Sequence, residues 1–380
     1  MRFLIFLLLF ASLYSHAIEV GAERYGQYLP LLKNQRVALV VNQTAQTLDG
    51  HLLDSLLEKG VNVRKVFAPE HGFRGDHDAG AKVDSSKDAK TGLPIISLYG
   101  KSKKPSAEVL KDIDTIIFDI QDVGVRFYTY ISTMHYVMAA AAEQGIQFIV
   151  LDRPNPNIAY IDGPILEPEF KSFVGMHPIP VLHGMTVGEL ANMINAEGWL
   201  NVDKQLALTV VPVAHYDANM AYDLPIKPSP NLPNAQAIAL YPSLCFFEAT
   251  PVSVGRGTTI PFQVFGHDKV KLGGFSFMPK PIKGAAQNPK LNGKVAYGLN
   301  LTKQSTHGLN LKWFIHAYQA FAKSGRVFFK HEQFMDKLAG TDKLRIAIKN
   351  NMSYKQVKQS WQADLSVFKQ RRQPYLIYAR

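Results

Sequence analysis

From residue 34 onward the chain alternates short apolar runs with segments of helical period. Residues 34–42, built on Val37, Leu39, Val40 and Val41, predict a strand that stops at the polar Asn42-Gln-Thr44. Residues 52–59 carry a helical stripe ended by Gly60, and 61–67 return to a β-branched run. The same rhythm predicts strands over 95–98, 114–120 and 147–151. It predicts helices over 106–111, with Ser106 as N-cap, and over 132–144, closed by Gly145. Farther on, 186–199 reads as a helix opened by a Thr186/Glu189 capping box, and 206–213 as another strand. Helices are expected over 311–323 and 354–368, and a last strand over 375–378. There is no internal repeat or low-complexity tract.

Apolar strands separated by helices of this length form βαβ units and a parallel sheet, which makes the fold α/β. Four of the strands finish in polar loops: Asn42-Gln-Thr44, Pro69-Glu-His-Gly72, Asp119-Ile-Gln-Asp-Val-Gly124 and Asp152-Arg-Pro-Asn-Pro156. Parallel strands place their C-terminal ends on one sheet edge, so these loops are expected to converge there on a site. Four prolines within 224–233 mark a domain boundary, giving an N-terminal domain over 18–233 and a C-terminal domain over 234–380.

Composition is that of a globular protein, with 47% hydrophobic and 19% charged residues among 380. The formal charge of +11 is read as dispersed, and no zinc-finger, basic-region or RNA-binding signature accompanies it, so nucleic acid is not the expected partner. Residues 1–17 differ from the rest. Arg2, an apolar run and the small-x-small ending Ser15-His-Ala17 predict a signal peptide cleaved after Ala17, and hence a secreted or periplasmic protein. The run is shorter than the roughly 20 residues that span a bilayer, so no stable membrane insertion is expected after cleavage. The one cysteine, Cys245, lies in an aromatic run and is expected to be buried. Nothing in the sequence sets the oligomeric state.

Glu70 leads the candidates for chemistry. Flanked by Phe67, Pro69 and Phe73, it reads either as a partly desolvated carboxyl suited to general-acid work or as a surface carboxylate paired with Arg74. Asp119 and Asp122 offer a second carboxylate, a ligand for a sugar hydroxyl, or simply a turn that closes a strand. Arg126 stands among Phe127, Tyr128 and Tyr130, a stretch suited to sugar stacking and carboxylate binding or to helix packing. Glu248, followed by Gly255-Arg256-Gly257, is a second carboxylate of the kind glycoside hydrolysis uses, or a group that only orients Arg256. His71, Asp76, His77 and Asp78 match no metal-ligand spacing, and neither a G-x-S-x-G elbow nor a Walker A or G-x-G-x-x-G loop is present. No cofactor or metal is expected.

Several long motifs together resemble the YbbC/NamZ family. They are Pro69-Glu-His-Gly-Phe-Arg-Gly75, Asp119-Ile-Gln-Asp-Val-Gly-Val-Arg-Phe-Tyr-Thr-Tyr130, Leu151-Asp-Arg-Pro-Asn-Pro156, Tyr241-Pro-Ser-Leu-Cys245, Ser253-Val-Gly-Arg-Gly-Thr258 and Ser360-Trp-Gln-Ala-Asp-Leu-Ser-Val-Phe368. The sequence departs from the family pattern at Ala249, where glycine is usual, and at Ala296, where cysteine is usual. The resemblance implies a Rossmann-like N-terminal domain, a smaller α/β C-terminal domain and an active cleft between them. It also implies release of terminal β-linked N-acetylmuramic acid from peptidoglycan fragments, with the family's catalytic glutamate falling on Glu70. On that reading His71 positions Glu70, and Glu248, Asp119 or Asp122 stabilises charge or acts as base. Asn42, Tyr128, Tyr130 and Asn155 join the arginines in binding sugar. Arg74, Arg126, Arg153 and Arg256 are the candidates for the lactyl carboxylate that distinguishes this sugar, because planar guanidinium forks hold carboxylates bidentately. A metal-assisted amidase or esterase acting on cell-wall material, and a non-catalytic muropeptide-binding protein, are the alternative readings.

Overall fold

The structure, a computed structural model, describes residues 17–70, 72–73, 86–100 and 102–380. Of the expected signal peptide only Ala17 is among them, and the expectations for His71 and Arg74 also lie outside the described residues.

The first strands appear where the apolar runs predict them. In chain order they are β1 (Val37–Val41), β2 (Val63–Ala68), β3 (Ser86–Lys87), β4 (Pro94–Ser97), β5 (Thr115–Asp119), β6 (Gln147–Leu151) and β7 (Leu208–Val211). They form one sheet in the order β3-β4-β2-β1-β5-β6-β7, parallel throughout except for the short β3. Without β3 this is the doubly wound order 3-2-1-4-5-6, which reverses direction at β1 and opens a crevice beyond the carboxyl ends of β1 and its neighbours.

Both faces of the sheet are covered, which explains why the strands read as unbroken apolar runs. In β1, Ala38 and Val40 join the large core, whereas Val37, Leu39 and Val41 join a second core under the helix Leu52–Glu58. That helix is capped by His51, whose Nδ1 accepts from the Leu53 amide at 3.2 Å while Nε2 donates to the Asn42 carbonyl at 2.9 Å. On the opposite face the helix Tyr130–Gln144 buries Ala139 to Ala142 in the large core and ends at Gly145 with φ 68°. Such a left-handed C-terminal residue suits glycine, which has no Cβ to clash. The Thr186/Glu189 capping box forms as the sequence predicts and starts the helix Val187–Ala196.

The C-terminal part pairs β8 (Val264–His267), β9 (Phe275–Phe277) and β10 (Ala296–Asn300) in an antiparallel sheet, with β10 in the middle. The helices Lys312–Lys323, Glu332–Ala339, Lys343–Lys349, Tyr354–Gln359 and Gln362–Arg371 complete it. Its aromatic core, with Phe246, Phe247, Phe265, Phe314 and Phe328, is continuous with the large core of the parallel sheet.

Two expectations fail here. The single helix over 354–368 is two helices, because the chain turns at Ser360 and Trp361 to bury the indole, whose Nε1 donates to Asp162 at 3.1 Å. Residues 375–378 are not a strand. The amides of Ile377 and Tyr378 donate to Glu189 at 2.8 and 3.3 Å, and the Tyr378 hydroxyl donates to Asp152 at 2.6 Å, so side-chain carboxylates replace a neighbouring strand as acceptors. Near the other end of the described chain, the Gly21 amide donates to the Asp152 carbonyl at 2.9 Å.

Candidate active site

A cleft of about 770 Å³ lies between the carboxyl edge of the parallel sheet and the C-terminal part. That is ample for a sugar unit and its substituents. Glu70, just past the end of β2, stands on the sheet side of the cleft with Tyr99, Tyr128, Thr129 and Tyr130. The Thr129 hydroxyl donates to Glu70 Oε2 at 3.2 Å. Burial, together with the neighbouring Glu70 carboxylate, pushes the Tyr99 hydroxyl above its ordinary pKa, so it stays a neutral donor beside that carboxylate.

The opposite wall belongs to the C-terminal part. Here Arg256 Nε donates to Glu248 Oε1 at 2.7 Å, and Lys290 Nζ lies 3.6 Å from Glu248 Oε2. Burial raises the Glu248 carboxyl, but the two cations more than offset this and hold it below the ordinary range, so it is a stable anion. Lys290 also donates to the carbonyls of Phe247, Glu248 and Thr250 at 2.8–2.9 Å, which ties the turn carrying Glu248 in place. The Arg256 guanidinium rests over the Phe262 ring, 4.9 Å from its centroid. Among the described residues only its Nε has a side-chain partner, so the two terminal nitrogens are available to the cleft. Gly255 and Gly257, on either side, have φ near 80°; a Cβ at Gly257 would sit 2.5 Å from the Lys280 carbonyl.

Edge-to-face rings connect the two walls. Tyr130 meets Tyr128 at 5.0 Å, Tyr128 meets Tyr241 at 5.9 Å, and Tyr241 meets Phe262 at 5.0 Å. The Tyr128 hydroxyl donates to the Pro228 carbonyl at 2.8 Å, which fixes the ring. Cys245, buried as expected, also borders the cleft; burial pushes its thiol up to about 12, so it stays protonated.

The structure therefore brings Glu70, Tyr128, Tyr130, Glu248 and Arg256 together, and keeps the other described candidates off the cleft lining. Asp119 and Arg153 bind each other. Arg153 Nε and Nη2 donate to the two Asp119 oxygens at 2.5 and 2.9 Å, and Nη2 also reaches the Gln46 carbonyl at 3.0 Å. Arg126 is wholly buried, donating to the carbonyls of Pro164, Ile179 and Leu338 at 2.7–3.0 Å; burial lowers its pKa to about 9. Asp122 accepts from the Gly124 amide at 2.6 Å, and burial raises its carboxyl to about 7 against that amide and the Val123 amide. Asn42 accepts from Thr44 behind Tyr130, and Asn155 donates to the Met185 carbonyl at 2.9 Å. Sequence reasoning missed Tyr99, Thr129, Tyr241 and Lys290. Thr129 and Tyr241 lie inside motifs already singled out, whereas Tyr99 and Lys290 carry no local signal.

Known proteins of similar sequence and fold identify the family. The N-terminal and C-terminal family profiles described as exo-beta-N-acetylmuramidase NamZ match residues 37–236 and 239–378. The chain is 40% identical over 379 residues to the peptidoglycan beta-N-acetylmuramidase NamZ of Bacillus subtilis (strain 168), covering 92% of this chain and 89% of that one. A crystal structure of a DUF1343 family protein from Bacteroides fragilis superposes with a TM-score of 0.88 at 46% identity, covering 96% of this chain and 99% of that one. A second DUF1343 protein from the same organism gives 0.80 at 31%, covering 95% and 99%. An α/β chain with a doubly wound sheet, a cleft at its carboxyl edge and both profiles in sequence belongs to the NamZ exo-β-N-acetylmuramidase family.

Proposed function

We propose that this protein is an exo-acting glycoside hydrolase that releases terminal β-linked N-acetylmuramic acid from peptidoglycan fragments, with Glu70 as general acid. The observation that carries this reading is the pairing, across one cleft, of Glu70 with an anionic Glu248 and a cleft-facing Arg256 fork. Glycoside hydrolysis needs a proton for the leaving oxygen and negative charge to stabilise an oxocarbenium-like transition state. Glu70, which borders the cleft and accepts from Thr129, is assigned the first role. Glu248, held ionised by Arg256 and Lys290, suits the second better than it suits proton donation. The aromatic chain between them offers faces to a sugar ring.

Of the four candidate arginines, Arg256 is the described one that lines the cleft, and its free nitrogens make it the receptor for the lactyl carboxylate. The decisive assay follows hydrolysis of a chromogenic N-acetylmuramic acid β-glycoside by wild type and Glu70→Gln. The variant is expected to lose at least about 10²-fold in kcat; equal rates would remove Glu70 from the mechanism.

Export completes the proposal. Arg2, the apolar run and Ser15-His-Ala17 support cleavage after Ala17. The fold begins to use the chain just beyond, where the Glu19 and Ala214 backbones exchange hydrogen bonds at 3.2 and 2.8 Å. N-terminal sequencing of exported protein tests it: a mature chain starting at Ile18 is expected, and retention of Met1 overturns it.

A further inference from the structure

A second cavity, of about 270 Å³, adjoins the cleft. Asn231 and Ala285 border both, and the hydrogen bond from Asn231 Nδ2 to the Ala285 carbonyl, 2.8 Å, is the partition between them. The loop bearing Arg256 also passes from one to the other, since Arg256 faces the cleft while Gly257 and Thr258 line the second cavity. Among the described residues the walls are neutral apart from Lys227 and Lys283, and no Asp or Glu lines the cavity.

Both lysines project from fixed backbone. Gln43 Nε2 donates to the carbonyls of Lys227 and Pro228 at 3.4 and 3.2 Å, and Tyr128 holds Pro228 as well. Lys283 sits in a tight turn closed by reciprocal backbone bonds between Ile282 and Ala286 at 2.9 and 2.8 Å, with Gly284 at φ 75°. Neither ammonium is paired with a carboxylate among the described residues. The segment that carries Lys283 is cationic as well. The charge excess proves to be concentrated, not dispersed: residues 269–331 contain eleven Lys and Arg and no Asp or Glu, which equals the whole formal excess of +11. A strand leaving the cleft on this side enters a positive field.

We propose that the second cavity is the subsite for the next carboxylate-bearing sugar of the same glycan strand, with Lys227 and Lys283 as its carboxylate receptors. This rests on the muramidase reading above. In peptidoglycan the lactyl-bearing sugar recurs at every second position. With the terminal muramyl unit in the cleft beside Arg256, the neutral glucosaminyl unit lies at the Asn231 partition. The next acidic sugar then reaches a cavity whose charges, among the described residues, are the two ammonium groups of Lys227 and Lys283. The site therefore distinguishes a strand from a bare disaccharide.

The test compares wild type with the Lys227→Ala/Lys283→Ala double variant on two substrates, N-acetylmuramyl-N-acetylglucosamine and the tetrasaccharide made of two such units. The expected result is a fall in kcat/KM of about five- to tenfold on the tetrasaccharide, carried by KM, with the disaccharide unchanged and the melting temperature retained. Rising salt should raise KM more steeply for the tetrasaccharide than for the disaccharide in wild type, and this difference should vanish in the variant. Equal losses on both substrates, or no loss on either, overturn the subsite while leaving the muramidase reading in place. A wild type that hydrolyses neither substrate overturns both.

Discussion

Two arginine–carboxylate pairs, similar in sequence, have become different objects in the fold. Arg153 and Asp119 join at the carboxyl edge of the parallel sheet, with two buried parallel N–H···O bonds and a third, part-buried, to the Gln46 carbonyl. Arg256 and Glu248 share one Nε bond, and each remains about a quarter exposed to the cleft. The first pair has committed Nε and Nη2 of its arginine to the protein and ties the ends of β5 and β6 to the short hairpin that pairs Gln46–Thr47 with Gly50–His51. The second has been oriented by one bond and still has nitrogens to offer. Burial and the number of bonds within the pair, not residue type, separate a structural pair from a receptor.

The largest test of this contrast is on stability. Asp119→Ala leaves a buried, unpaired guanidinium and should lower the unfolding free energy by about 3–5 kcal/mol in urea titrations, whereas Arg256→Ala should cost about 1 kcal/mol or less. A similar loss for both would erase the distinction. Activity should respond in the opposite sense. Arg256→Ala should reduce kcat/KM on a muramoside by about thirtyfold, with a much smaller change on the matching glucosaminide, which lacks the carboxylate; equal losses would deny Arg256 its lactyl role. Arg256→Lys, with charge but no fork, should fall between.

The smallest effect concerns Asp122, a third carboxylate in a third state. Its folded pKa of about 7 lies above the ordinary 3.8, so the folded chain holds an extra proton in that window and loses stability as pH rises through it. Asp122→Asn should flatten that slope, matching wild type near pH 4 and exceeding it by about 1–3 kcal/mol at pH 8. An unchanged slope in urea midpoints would place the titration elsewhere.

The parallel half was legible because its rules are local. Apolar runs of strand length, Ser106, Thr186 and Gly145 each did where they stand what the sequence indicates. Glu70 could be found because a strand ends just before it. The antiparallel sheet was hidden by its glycines: a Cβ at Gly298 would lie 1.7 Å from the Phe265 carbonyl, so the alternation that signals a strand is broken where close approach forbids a side chain. Arg126 misled for a different reason. Its carbonyl partners reach as far as Leu338, 212 residues away, and no local pattern reveals a cation used as a backbone clamp. The joined helix over 354–368 failed on Trp361, whose partner Asp162 is equally remote.

The docking of residues 377–380 also bears on the order of folding. Asp152 and Glu189 are wholly buried in the first domain, yet Tyr378, Ile377 and Arg380 supply several of their donors. A ribosome makes the doubly wound sheet early, but the sheet's buried carboxylates wait for partners specified 188 to 226 codons downstream. The first half of this polypeptide thus completes its hydrogen bonding only after the second half has been synthesised.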